Sequence, residues 1–461
     1  MKRVSEAASA VSIACGFTFT FNFQIRKPLM RIGIIGTGIA GLTAAWYLKD
    51  AGHHVTAFEQ QASFGMGAHG VEFDLALSDS PPRKLYSDVP PRMFNSAQWP
   101  NLWQLYEELG VEIEAVNPTK TFAGIGQDAV LKLAANYLPK LSTELVLNPA
   151  SRKILKGIGR MMNSAPKYLR RHFASGSDQH GYPVDELTFE EYLDTHGYSE
   201  EFINQFLFPA LSSTVCTCSY QSLDKYPAAT LLAAMLRLIE PEGLFRTRHG
   251  TKDVVARLAK AFDEIHLATS ISSVCQGESD CKIQVGKKAG FVFDHVIVAT
   301  QANSALRLID GISGKEKEAL GGFQYEAVET IVHTDASLMP ARPRDWSAFN
   351  VLSNSQLSAA MCTIHLNQFY PEWVCDQPVF QTIMPIIAPQ PETIIARASM
   401  QRPVVSKASA RGHRLLGELH AENDRRIWYC GSYASPGIPL LESGVCSAIE
   451  VTQRLLAPTF I

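Results

Sequence analysis

Three glycines at a fixed spacing carry the sharpest chemical signal in the chain: Gly36-Thr37-Gly38-Ile39-Ala40-Gly41. Gly36 permits a tight strand-to-helix turn, Gly38 lets a backbone approach a pyrophosphate, and Gly41 lets a helix pack closely on a strand. Unpaired N–H groups at the start of that helix would complement the phosphate charge. Glu59, at the end of the next strand-like run, is placed to accept hydrogen bonds from a ribose diol. Together these residues specify dinucleotide binding. Other reactive side chains are scattered along the chain. His333 and Asp335 are two apart in a strand-like run, so both would point to one face. An oriented pair of this kind could act as a base or hold a carboxylate's proton. Arg92, between two prolines and Phe94, could hold a substrate carboxylate or the cofactor phosphates. Cys216-Thr217-Cys218 is too tightly spaced, and lacks the partners, for a zinc site. No GxSxG or HExxH pattern occurs.

The elements that must position these groups can be read around them. Arg31–Ile35 is a β-branched run suited to a buried parallel strand. Leu42–Lys49 is a good helix former, stopped at Gly52, and His54–Phe58 reads as a second strand. Much later come a helix over Asp253–Phe262, strands over Ile265–Leu267 and Ile271–Cys275, and a buried strand Phe293–Thr300 ending in small polar residues. Arg426–Gly431 reads as a strand reaching a glycine. A helix beginning at Pro439 should follow, since proline suits a first helical turn. A compact nicotinamide-binding domain would continue its sheet without interruption. This late return disfavours an NAD-only enzyme.

Composition narrows the class. The chain has 461 residues, 46% hydrophobic and 19% charged. That length suits roughly three units of ~150 residues, and the composition excludes a disordered protein. A net charge of −3 gives none of the basic footprint of a nucleic-acid binder. Nine cysteines, an odd number, exclude a complete disulfide framework and suit a reducing, cytoplasmic setting. Residues 1–29 read as a start-site extension, a targeting segment or a membrane anchor. Met30 is an alternative start, because the chain turns strand-like at Arg31.

From residue 30 to 456 the chain resembles the FAD-dependent amine-oxidase-like flavoproteins, a superfamily that includes phytoene desaturases and protoporphyrinogen oxidase. The resemblance rests on the glycine motif with its acid and on the late strand, glycine and helix. It implies FAD as cofactor. The early glycines and Glu59 would bind its ADP half, and a middle strand near Val274 would touch the adenine. Thr300 would end a strand at the site, and Gly431 would bind pyrophosphate. Ile438, Pro439 and Leu440 would lie near the flavin, with Tyr433 close by as a candidate catalytic group. A narrower resemblance is carried by Asp88–Asn95, Pro100–Leu102 and Tyr106–Val111, and again by Val332–Pro340 and Trp346–Asn350. These stretches are similar to bacterial flavoproteins often associated with cyclopropane-fatty-acid synthase. The general plan is also similar to the polyenoic fatty-acid isomerases. One departure from the superfamily pattern is clear. Ser63 stands where an arginine is usual and Met66 where a second glycine is usual, with Gly65 retained and Gly67 one residue further on.

The expected fold is α/β: a discontinuous Rossmann-like FAD-binding domain with an inserted α+β substrate domain. The FAD-binding domain would comprise 30–96, 240–310 and 420–461, and the substrate domain 97–239 and 311–419. The function implied is a FAD-dependent oxidoreductase that moves a hydride from an apolar substrate, such as a fatty acyl chain, to flavin. A redox-neutral double-bond isomerase is the second reading. A flavin-binding partner of a lipid-modifying enzyme is the third, motivated by the altered Gly65–His69 segment. Ile154–Leu169 is amphipathic and carries Lys156, Arg160 and Lys167, with Arg170 and Arg171 just beyond. This leaves peripheral membrane contact open beside the plainer reading of a solvated helix face.

Overall fold

A computed structural model describes residues 29–457, apart from 78–79, 135–138, 141–142, 175–186, 238–242, 287–289 and 374–376. The alternative readings of residues 1–28 lie outside the described residues.

Arg31–Ile35, apolar after its first residue, is the central strand of a five-stranded parallel sheet and is covered on both faces. Across the sheet the order is Ile427–Tyr429, His295–Val298, Arg31–Ile35, His54–Phe58, Glu264–His266. In sequence terms this is strand order 5-4-1-2-3, the doubly wound arrangement whose ligand crevice opens beside strand 1. The helix Ile39–Asp50 and the C-terminal helix Leu441–Leu456 pack together on one face. The other face is covered by a three-stranded antiparallel sheet (Ile271–Gln276, Cys281–Val285, Phe291–Phe293) and by the helices Ala302–Leu308, Gly314–Gly321 and Lys407–Leu419. The run expected as one strand, Phe293–Thr300, is broken at Asp294. Its carboxylate accepts from Arg31 N–H at 2.7 Å and its own N–H donates to Arg31 C=O, which turns the chain from one sheet into the other.

The second unit is built on a seven-stranded sheet in the order Ile394–Val404, Gln324–His333, Phe380–Ile383, Ala359–His365, Phe349–Asn354, Lys120–Gly124, Ala129–Leu133. Its pairs are antiparallel except Phe349–Asn354 with Lys120–Gly124. Helices drawn from 149–237 pack on one face of this sheet to form the largest core. The fold is therefore a Rossmann-like α/β unit with an inserted α+β unit.

Three helices fall on the other side of the expected boundaries. Pro100–Glu108 turns Leu102, Leu105 and Tyr106 into the core around the helix Ile39–Asp50. The Glu442 carboxylate holds its first turn, accepting from the N–H groups of Asn101 and Leu102. Gly314–Gly321 and Lys407–Leu419 bury Ala319, Leu320, Leu416 and Leu419 against the parallel sheet. An apolar stripe on a helix specifies burial but not against which sheet.

The basic helix extends over Pro149–Ala174. Arg160 donates to the C=O groups of His196 and Gly197, while Lys156, Lys167, Arg170 and Arg171 are exposed. Among the described residues no helix is long and apolar enough to cross a membrane, no His/Cys/Asp/Glu group could hold a metal, and the seven cysteines are free.

Candidate functional site

The crevice opens at the carboxyl ends of the parallel strands. Gly36 follows the central strand with φ +98°, and a Cβ there would lie 2.9 Å from the Ala299 C=O of the neighbouring strand. Gly41 lies in the first turn of the next helix. A Cβ there would lie 2.0 Å from the Gly36 C=O, so only glycine allows the helix this close to the turn. Gly38 faces open space, with nothing within 4 Å of a Cβ. The helix starts at Ile39 and Ala40 with no side-chain cap, leaving its first N–H groups for an anion.

Glu59 ends the second strand, buried, and is tied into this loop. Its Oε2 accepts from Thr37 N–H at 3.0 Å and Thr37 Oγ1 at 2.7 Å, and its Oε1 accepts from Gln61 N–H at 3.0 Å. Oε1 retains a lone pair for a ribose hydroxyl. Thr37 was not singled out from sequence, although it stands inside the glycine motif. Its hydroxyl also accepts from Gly65 N–H at 2.9 Å, and its C=O from Met66 N–H at 3.2 Å. The altered segment is thus bound directly to the glycine loop. A Cβ on Gly65 would lie 3.1 Å from Glu59 Oε2 and 3.5 Å from Gly38 N, which explains why this glycine is retained. At Gly67 a Cβ would make only ordinary contact, so Gly67 does not stand in for the missing second glycine.

The late elements converge on the same crevice. Thr300 lies next to Gly36, and its C=O is 3.5 Å from where a Gly431 Cβ would be. Gly431 is held by Ser447 of the C-terminal helix, whose Oγ accepts from Gly431 N–H at 3.0 Å. Tyr433 packs its ring against Gly431 and edge-on to Phe323, and its hydroxyl is buried without a partner. Burial raises its pKa well above the usual phenol value, which keeps the hydroxyl protonated. Tyr433, Gly437 and Pro439 line one crevice. The C-terminal helix begins at Leu441 with Leu440 as its uncapped N-cap residue. Pro439 therefore precedes the helix and does not lie in its first turn as expected.

Two further expectations are corrected. The Val274 C=O accepts from Asp310 N–H, and Val274 pairs with Ile283 on its other side, so its backbone is not free for an adenine. The segment beside Glu59 is instead Ala268-Thr269, whose N–H groups donate to the C=O groups of Gln61 and Glu59. His333 and Asp335 do not share a strand face, because the strand ends at His333. The Asp335 carboxylate caps the following turn, accepting from Ser337 N–H and Gln390 N–H, while its own N–H donates to His333 Nδ1. His333 Nε2 bonds Thr382 Oγ1 at 2.7 Å, and burial pushes the ring's pKa down to about 4. Strand alternation sets His333, Thr382 and Thr363 on the sheet face opposite Gln381, which reaches the Asp88 C=O. The pair caps a turn and cross-links the sheet. Arg92 is half-buried, and the nearby Asp88 carboxylate opposes the lowering of its pKa by burial.

This strand order and this cradle define a dinucleotide-binding α/β protein. The sequence matches the flavin containing amine oxidoreductases over residues 39–367, and the chain belongs to that family. Its cofactor is FAD. Among solved structures it is similar to a CLA-producing fatty acid isomerase from P. acnes, with TM-score 0.64 and 14% identity over 93% of this chain and 99% of that one. It is similar to the cyclohexylamine oxidase of Brevibacterium oxydans, with TM-score 0.64 and 14% identity over 93% and 100%. It is also similar to a protein described as a protoporphyrinogen oxidase from an Exiguobacterium species, with TM-score 0.62 and 15% identity over 92% and 98%. A 63-residue stretch is 43% identical to the 4-hydroxybenzoate brominase (decarboxylating) of Marinomonas mediterranea, covering 13% of this chain and 12% of that protein.

The residues present fit FAD. Gly38 leaves room for a pyrophosphate, two helix N-termini are uncapped, Glu59 retains an acceptor, and the Tyr433 hydroxyl lacks a partner. Glu59→Gln keeps the shape but turns an amide NH2 toward existing donors. It is expected to weaken FAD binding about 10-fold or more, since a hydrogen bond to a charged group is worth roughly 1.5–3 kcal/mol. Flavin fluorescence titration of the apoprotein would show it. An unchanged affinity would mean that Glu59 only braces the loop.

Proposed function

We propose that this flavoprotein removes a hydride from an apolar substrate, with an acyl chain as the substrate class. The supporting observation is the character of the sheet face reached by Met93 and Ile438. Val328, Val332, Ile383, Ala398 and Val404 are buried there, with Met400 packed against them. Bound FAD supplies a two-electron acceptor. The chain's part is to hold the substrate against this face and to exclude water. Loss of a hydride together with a proton would give a desaturated product.

A redox-neutral isomerase is the second reading, favoured by the similarity over 93% of the chain to a fatty acid isomerase. In that case the hydride returns at another carbon. The experiment is to purify the protein, confirm stoichiometric FAD by its visible spectrum, add unsaturated and saturated fatty acids anaerobically, and weigh the products. Bleaching with loss of two hydrogens supports oxidation, and unchanged mass with a moved double bond supports isomerisation. Bleaching by simple amines but by no acyl substrate would overturn both. A folded protein that takes up no FAD would favour a non-catalytic partner of a lipid-modifying enzyme.

A further inference from the structure

The helix Pro149–Ala174 has two unlike sides. Ile154, Met161, Ala165 and Leu169 lie on one of them and are buried in the largest core. The opposite side carries Arg152, Lys156, Lys167, Arg170 and Arg171, all exposed. Steps of three or four residues, through Arg160 and Asn163, align these cations in one stripe. At 1.5 Å per residue the stripe is about 28 Å long. The helix contains no Asp or Glu to interrupt it.

Neighbouring elements leave most of this charge in place. Lys153 pairs with Glu201 at 2.6 Å, and Arg160 is engaged by the C=O groups of His196 and Gly197. Among the described residues the other five cations make no ion pair. The chain as a whole carries a net charge of −3, so this face is opposite in sign to the balance of the protein. Such asymmetry orients a protein toward an anionic partner. Just before the helix, Val146 and Leu147 are 45% and 69% exposed. Apolar side chains at the end of a cationic stripe suit a surface that is charged outside and hydrocarbon beneath.

We propose that this face docks the protein on an anionic lipid bilayer, with the five cations among the headgroups and Val146 and Leu147 reaching just beneath them. The apolar side of the helix is committed to the protein core, so the contact is peripheral and reversible. Each Lys or Arg held near an anionic bilayer raises partitioning roughly 5-fold, and the gain falls off within a Debye length. A nucleic acid would match the charge, but it would leave the exposed apolar pair in water. The proposal is independent of which substrate the flavin site takes.

The test is co-sedimentation of the FAD-loaded full chain with vesicles of phosphatidylcholine, alone or mixed with about one-third phosphatidylglycerol, at about 0.1 M salt. Binding to the mixed vesicles is expected to be at least 10-fold tighter, and to be lost near 1 M salt, where the Debye length is about 3 Å. Arg152→Gln, Lys156→Gln, Lys167→Gln, Arg170→Gln and Arg171→Gln combined should lower partitioning at least 100-fold and leave FAD content unchanged. Should the combined variant fail to fold, Lys156→Gln and Lys167→Gln decide the matter singly, each with an expected loss of about 5-fold. Equal binding to phosphatidylcholine alone would overturn the proposal, as would binding that survives high salt or is kept in full by the Gln variants. A DNA duplex bound as tightly as the mixed vesicles, and lost in the same variants, would also overturn it, by making the face a general polyanion site.

Discussion

Gly41→Ala is expected to yield a protein that no longer retains FAD. The added methyl would lie 2.0 Å from the Gly36 C=O and 3.2 Å from the Ala299 Cβ. Neither obstacle is the far end of a flexible side chain. The Gly36 turn is pinned by its N–H, which donates to the Phe58 C=O at 2.8 Å, and by a φ of +98°. The helix must therefore move off the strand, taking with it the N–H groups that face the pyrophosphate. Overpacking of this kind costs about 1–3 kcal/mol, and a clash with fixed backbone belongs at the upper end. We expect at least a 100-fold loss of FAD affinity together with a lower urea midpoint. Gly38→Ala separates the two effects. Nothing in the protein lies within 4 Å of that Cβ, so stability should hold while the methyl occupies the ligand's place. Gly41→Ala recovered with stoichiometric FAD and unchanged stability would contradict this account of the cradle.

The second large effect is expected at Glu316, a buried carboxylate remote from the cradle. Its Oε1 accepts from Arg425 Nη2 and the Tyr429 hydroxyl, each at 2.8 Å, and its Oε2 from Ser313 N–H and Oγ, each at 2.9 Å. These bonds join the helix Gly314–Gly321 to the strand Ile427–Tyr429, which leads to Gly431. Glu316→Gln would leave Arg425 buried with only the exposed Glu422 as counter-ion. Removing one partner of a buried pair typically costs roughly 3–5 kcal/mol, and the remaining partner puts the expected loss near the lower figure, about 3 kcal/mol. Denaturant unfolding measures it directly.

The same carboxylate sets a pH dependence. Burial alone would raise the pKa of Glu316, but the hydrogen bonds from Ser313, Tyr429 and Arg425 outweigh it, and the group titrates below its usual 4.5. A depressed folded pKa means that the stabilisation is complete above the unfolded value and is lost as pH falls through the folded one. The stability difference between wild type and Glu316→Gln should therefore be level from about pH 7 to about pH 5.5 and shrink below about pH 4.5. A difference that persisted undiminished into acid would mean that the lost shape, and not the charge, is what matters.

Much of the nucleotide cradle is written locally. The turn at Gly36, the close approach at Gly41 and the strands Arg31–Ile35 and His54–Phe58 follow from conformational freedom and β-branched composition within some thirty consecutive residues. The family resemblance extended this reading to Gly431 and the C-terminal helix. Thr37 was within the motif, yet its bond to Glu59 depends on how the second strand is set beside the first. Which core takes the helix Pro100–Glu108 was beyond local reading, because an apolar stripe fits either unit. Val274 and the His333–Asp335 pair were misplaced for a related reason. Strand spacing tells which residues share a face, but not where a strand stops or which neighbour takes its free edge. Glu316 and Arg425 gave no local sign of each other, being 109 residues apart. They pair because folding sets the helix Gly314–Gly321 beside the start of the strand Ile427–Tyr429. Sequence by itself determined the cofactor class, since that chemistry is held by short-range backbone geometry. Tertiary structure alone decided which charges pair in the interior, since pairing depends on every residue that folding brings within reach.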